Sequence, residues 1–227
     1  MSRQLLSQAA QIFYGMVRYG RAFQGKPGVQ ITPELRWHSY GAIVLADADG
    51  ISLSQSVGAA GLALINGAFA VGGVATFDVP RNVVGAWTTN SIITIVGTDQ
   101  WGSLMSEVGA SAATFTGKKA FKTIISITSS ASITGATFGS GVVIGLPYRV
   151  DENGYLLGKV DGATDVGTFV EAITAAATGT TGDTRGTITF TSAPDTTKLY
   201  AVLIKIADPS TKEGAYGVKQ FGSTDSA

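Results

Sequence analysis

The chain contains no cysteine and a single histidine, His38. Without cysteine there are no disulfides, no thiolate nucleophile and no Cys-based metal site, and the redox compartment stays open. One histidine cannot form a His-pair metal site, and it leaves nucleophilic hydrolysis with one candidate for its usual base. His38 sits beside Trp37 and close to Tyr40, a setting that reads as packing rather than catalysis. Charge is also scarce: charged residues make up 14% of the chain, against roughly 25% in ordinary soluble domains. The surface is therefore covered largely by Thr, Ser, Asn and Gly. Such a surface is weakly defended against association, which points towards a subunit of an assembly. Formal net charge is zero, so the whole molecule exerts no long-range pull on nucleic acid or anionic membrane. No apolar run approaches the ~18 residues of a bilayer span. The opening MSRQLLSQAAQIFYGMVRYG is interrupted by Gln, Ser and Arg and lacks the apolar core of a signal peptide.

What remains is material for β-structure. The 227 residues are 44% hydrophobic, enough for one large β domain or two small ones. Thirty glycines and abundant threonine suit short strands and tight turns. Residues 1–38 stand apart. Leu5, Ala9, Ile12, Phe13 and Met16 follow helical spacing, Gly15 and Gly20 weaken it, and Gly25–Pro33 reads as extended. Strands are expected at Ala42–Ala46 and over Ile51–Val57, around an Asp47–Gly50 turn. Asn66-Gly67 reads as a hairpin dipeptide. Val74–Val79 alternates with period two and is expected to stop at Pro80, which donates nothing to a ladder. Ser91–Val96, Leu104–Val108 and Phe121–Thr128 follow, the first two joined by a Gly97–Gly102 turn. Val142–Leu146 leads to the Asp151–Gly154 turn and Tyr155–Val160. Phe169–Ala177 is one short element, and Thr187–Thr191 and Leu199–Ile206 close the series. The fold class is mainly β: an antiparallel sandwich or barrel of many short strands, with an extended or partly helical N-terminal arm. The expected division is an arm at 1–38, a β domain at 39–150, and at 151–227 either a second β lobe or a continuation of the same sandwich.

No catalytic constellation emerges, and the reading is a non-enzyme without cofactor or metal. Asp47, Asp49, Asp99, Asp151, Asp161, Asp165, Asp183 and Asp195 all fall in turn-like contexts, where Asp is favoured regardless of function. Asp47-Ala48-Asp49-Gly50 begins like a calcium loop but lacks the later oxygen ligands and distal Glu. Gly135–Gly141 is glycine-rich yet has no Gly-Lys-Ser/Thr ending and precedes a strand, so it reads as a turn. Charge placement is more informative. Residues 1–38 carry five bases and one acid, and 39–110 one base and five acids; 111–150 carry four bases and no acid, and 151–227 six bases and ten acids. The candidate interface residues are Arg18, Arg21, Lys26, Arg36 and Trp37 in the arm, and Lys118, Lys119 and Lys122. The three lysines read either as a solvated loop or as a contact for a partner protein. Too few aromatics interleave them for a nucleic-acid patch.

Several long runs carry a resemblance. They are DVPRNVVGAW (Asp78–Trp87), ITIVGTDQWGSLMSE (Ile93–Glu107), GKKAFKTIISIT (Gly117–Thr128) and GLPYRV (Gly145–Val150). ADADGISLSQSV (Ala46–Val57), LINGA (Leu64–Ala68), TTGDTRGTITF (Thr180–Phe190) and AYGVKQF (Ala215–Phe221) accompany them. Together the chain resembles capsid decoration, or cement, proteins of tailed bacteriophages. The resemblance covers most of residues 46–221 and is weakest over the first 38. It implies a virion component on the outer capsid surface, bound to the major capsid protein, homo-oligomeric and often trimeric, with no catalytic or cofactor residues. Two alternatives stay open. One is another virion part, in tail or baseplate. The other is a β-sandwich module binding host-surface carbohydrate, with Trp101 beside Asp99 as its candidate.

Overall fold

The computed structural model describes residues 35–173 and 182–205. Every regular element among these residues is a strand: β1 (Leu35–Ala42), β2 (Ser52–Val57), β3 (Gly61–Leu62), β4 (Ala70–Val71), β5 (Val74–Ser91), β6 (Ile93–Thr98), β7 (Leu104–Val108), β8 (Ala112–Thr116), β9 (Phe121–Ser129), β10 (Ile133–Gly145), β11 (Tyr155–Val160), β12 (Ala163–Asp165), β13 (Thr168–Val170), β14 (Thr187–Thr189) and β15 (Leu199–Lys205). They form two antiparallel sheets. The smaller runs β1-β15-β11-β12. The larger runs β13-β14-β10-β5-β9-β6-β7, with β2 added on β10, β3 on β9, and β4 and β8 on β5. The expected class, mainly β and antiparallel, is the one observed.

The expected segment boundaries do not follow the sheets. Residues 1–34 of the arm lie outside the described residues, but Leu35–His38 belong to β1, which pairs with β15 near the other end of the chain. Residues 151–227 are likewise divided, with β11, β12 and β15 in the smaller sheet and β13 and β14 in the larger. The strand expected at Ala42–Ala46 lies earlier, at Leu35–Ala42. Its inward side chains are Arg36, His38 and Tyr40 and its outward ones Leu35, Trp37 and Ser39. Polar and apolar residues occur on both faces, so alternation of hydrophobicity does not mark it.

β5 is the strand the molecule is built around, and it does not stop at Pro80. It runs for 18 residues, flanked on one side by β4 then β10 and on the other by β9 then β8. Pro80 is accommodated because the β5–β9 ladder is interrupted between Thr76 and Arg81, where a missing N–H costs nothing. Two side chains mend the irregular places. Lys122 donates from Nζ to the carbonyls of Phe77 and Asp78, at 2.7 and 2.8 Å. Buried Asn82 donates to Gly117 O at 3.0 Å and accepts from Val143 N–H at 3.1 Å, spanning the breaks on both sides of the strand. Arg81 pairs with Asp78 at 2.9 Å and donates to Val44 O, while Asp78 accepts Val44 N–H at 2.7 Å. That clip fastens the segment leaving β1 onto β5.

There are two apolar clusters. The larger sheet curls round one, which includes Phe77, Val83, Trp87, Ile95, Phe121, Ile124 and Phe138. The other lies under the smaller sheet and joins Tyr200, Val202 and Ile204 to Val79, Ile144, Leu146 and Ile188. β5 and β10 contribute to both clusters, so the two long strands hold the sheets together. The expected Asn66-Gly67 hairpin is replaced by a loop pinned to Ile51, whose carbonyl accepts both N–H groups at 3.0 and 2.9 Å. Gly67 is required there by close approach: a Cβ would lie 2.3 Å from Asp49 O.

Candidate interaction surfaces and the charged knot

The loop between β8 and β9, Gly117–Ala120, must satisfy several consecutive N–H groups away from any ladder. Carboxylates do this. Glu107 on β7 accepts Lys118 N–H at 2.5 Å and Lys119 N–H at 3.2 Å. Asp183 accepts Ala120 N–H at 2.9 Å and, with its other oxygen, Arg185 N–H at 2.9 Å. The Arg185 guanidinium lies 2.9 Å from Asp99, with side chains 1% and 3% exposed. Asp99 also accepts Trp101 N–H at 2.7 Å and Ser103 N–H at 2.9 Å, which shapes the β6–β7 turn. Asp99, Glu107, Lys119, Asp183 and Arg185 therefore form one buried knot tying three loops. Burial pushes the Glu107 carboxyl up, partly countered by the Lys118 and Lys119 N–H groups and the Lys119 charge. Burial pushes the Lys119 ammonium down against the pull of Glu107 and Asp183. Nearby Tyr40 is pushed far up by burial, opposed by the Arg185 charge, and it donates to Gly145 O at 3.0 Å.

This arrangement separates the candidate interface residues. Arg18, Arg21 and Lys26 lie outside the described residues. Arg36 faces inward: it donates to Tyr148 Oη and its guanidinium carbon stands 4.8 Å above the Tyr148 ring. Trp37 faces outward, 51% exposed, with Lys159 Nζ 5.7 Å over its ring. Lys119 is 1% exposed and offers a partner no side-chain surface, and Lys122 is the backbone strap beside Pro80. Of the three lysines only Lys118 is exposed. We expect Lys119→Ala to lower the unfolding midpoint in urea and Lys118→Ala to leave it unchanged. Equal effects would mean that the knot does not bear load.

Trp101 is 49% exposed, lies 6.2 Å from the Tyr148 ring and donates from Nε1 to Pro147 O at 2.9 Å. The carbohydrate reading pairs this ring with Asp99 as the acid that would hold hydroxyls beside it. Asp99 is buried and engaged with Arg185 and two N–H groups, so it does not serve that purpose. His38 makes an edge contact with Tyr40 at 4.6 Å; burial, then the Arg36 charge, lowers its pKa. Asp47 accepts Asp49 N–H at 3.2 Å and shapes a turn. Among the described residues no group of three His, Asp or Glu side chains is placed to hold a metal ion. No protein-family model, curated protein or solved structure matches the chain.

One carboxylate outside the knot yields a pH prediction. Burial raises the Asp165 pKa, but the N–H groups of Ser192 and Thr191, at 2.9 and 2.8 Å, outweigh it and leave the carboxyl below its ordinary value. A depressed folded-state pKa contributes stability above the unfolded-state value that is lost as pH falls through the folded one. Asp165→Asn is expected to cost about 1–2 kcal/mol at neutral pH and to flatten the acid side of the stability curve. Urea midpoints across pH check this, and parallel curves for both proteins would refute it.

Proposed function

We propose that this chain is a capsid decoration protein of a tailed-bacteriophage virion, bound to the major capsid protein on the outer surface of the head. The observation that carries the reading is the ordered set of runs described above. Charged residues from three of them meet at one place in the fold: Asp99 and Glu107 come from the second run, Lys119 from the third, and Asp183 and Arg185 from TTGDTRGTITF. Separate stretches that resemble one family thus make a common structural unit. Sparse surface charge supports an assembling role.

The mechanism is binding rather than chemistry. A protein contacting several capsid subunits stabilises the assembled shell by mass action. A homo-oligomer, with a trimer favoured, multiplies this by avidity. The test is to add the protein to expanded heads that lack it, then to measure bound copies and the melting temperature of the heads. Many copies over the head and a raised melting temperature are expected. Absence of binding, or electron-microscopy density confined to tail or baseplate, would overturn the assignment. Removing the arm should stop at residue 34, since Leu35 begins β1. Deleting residues 1–34 is expected to weaken head binding about tenfold or more, a loss of about 1.4 kcal/mol. Unchanged binding would exclude the arm from the interface.

A further inference from the structure

The outer face of the smaller sheet is apolar and uncovered among the described residues. Register aligns Trp37 of β1, Leu203 of β15 and Leu157 of β11 in one row. Leu35 lies beside this row, and Ser39, Ala201 and Lys159 form the next. The inward side chains of β15, Tyr200, Val202 and Ile204, are fully buried. Leu199–Ile204 therefore reads LYAVLI, apolar on both faces. An uninterrupted apolar strand belongs to a sheet covered on both sides, whereas a sheet with one wet face alternates. A contiguous exposed apolar face also marks a contact. Lys159 and Lys205 are the charges that the described strands place on it.

The occupant has to be apolar, uncharged where it touches and within reach. Residues 1–34 lead directly into Leu35 at this sheet's edge strand. Within them Gln4–Val17 carries no charge between Arg3 and Arg18, and Leu5, Ala9, Ile12, Phe13 and Met16 share one side at helical spacing. An uncharged apolar stripe suits a face whose charges are positive better than the basic remainder of the arm does. The residues after Lys205 start from the neighbouring strand, opposite Leu35, but Asp208, Lys212, Glu213 and Lys219 break up their apolar positions. Reach is ample. The residues between Met16 and Leu35 extend to roughly 60 Å, and four strands are only about 15 Å across. We propose that Leu5–Met16 packs on the Trp37–Leu203–Leu157 row of its own chain.

Hydroxyl-radical footprinting read by mass spectrometry tests this on the full chain, with buried Trp87 reporting that the fold is intact. Trp37 is expected to be oxidised several-fold less in the natural chain than in the Ile12→Asp, Phe13→Asp double variant, at every protein concentration. Equal oxidation of Trp37 in the two would overturn the proposal. Protection that appears only as concentration rises would overturn it in favour of a second copy. If the double variant exposes Trp87, a cysteine pair decides. Phe13→Cys with Leu203→Cys, in a chain with no other thiol, is expected to form an intramolecular disulfide in dilute solution. Free thiols or solely intermolecular bonds would refute the contact.

Discussion

Arg185→Ala is expected to destabilise the protein by about 3–5 kcal/mol, because it strands the buried Asp99 carboxylate without its counter-charge. That is a large share of the roughly 5–15 kcal/mol that holds a typical domain folded. The Asp99–Arg185 contact is a close charge pair at 2.9 Å. Among the described residues, however, no guanidinium N–H of Arg185 makes a well-directed hydrogen bond. The pair is therefore not in itself a strong source of stability; the cost lies in breaking it one side at a time. Asp99 would keep the Trp101 and Ser103 N–H groups, which places the loss towards the lower end of that range. The double variant Asp99→Asn, Arg185→Met removes both charges at nearly constant volume. It is expected to be more stable than Arg185→Ala, and the non-additivity measures the coupling. Urea unfolding gives both values, with an unchanged m-value as the check on two-state behaviour. A loss under about 1 kcal/mol for Arg185→Ala would place the pair among exposed ones and refute the knot.

Gly139→Ala should produce the second largest effect, through backbone rather than charge. Gly139 lies in β10 opposite Val84 of β5. The segment after β1 crosses it so closely that a Cβ would stand 1.9 Å from Asp47 O and 2.4 Å from Ala48 C. Ser140 holds that segment in place, donating N–H to Asp47 O at 2.8 Å and accepting Asp47 N–H at 3.1 Å. The obstructing atoms are backbone, so no rotamer change relieves the clash. Overpacking of this kind costs about 1–3 kcal/mol, which lowers Tm by roughly 2–12 °C for a chain of this size. Gly58→Ala is the control, since a Cβ there meets nothing within 4 Å. It is expected to leave Tm within about 2 °C of the parent. A Gly139→Ala protein as stable as the Gly58→Ala protein would mean that the 43–50 segment does not sit on β10.

Both effects depend on positions that look ordinary in the chain. Asp99 and Asp183 carry the cues of turn residues, and the carboxylate of each does shape a turn by accepting N–H groups a few residues further on. That second task, holding Arg185 or the loop before β9, leaves no local mark. Lys118, Lys119 and Lys122 read as one basic patch, yet one is exposed, one is buried with Glu107 and Asp183, and one straps β5. Neighbours in sequence point to opposite sides of an extended chain, so a cluster of like charges in the text need not be a patch on the surface. The glycine at 139 lies in a run that reads as a turn, whereas its role is to let another segment pass.

Some features were decided by the sequence alone. Absent cysteine and scarce histidine bound the chemistry, and composition bounds the class. Period-two alternation placed β9 and the start of β5, and the Asp151–Gly154 turn placed β11 as the strand returning from it, because these depend on contacts within a few residues. Other features required the tertiary structure. It carried β5 through Pro80, since only the interrupted ladder with β9 shows that no donor is needed there. It paired β1 with β15, and it chose which acid meets which base. Strand partners and ion pairs are non-local, and many pairings satisfy the same local pattern. Only packing both apolar clusters while pairing the buried backbone N–H groups selects one of them.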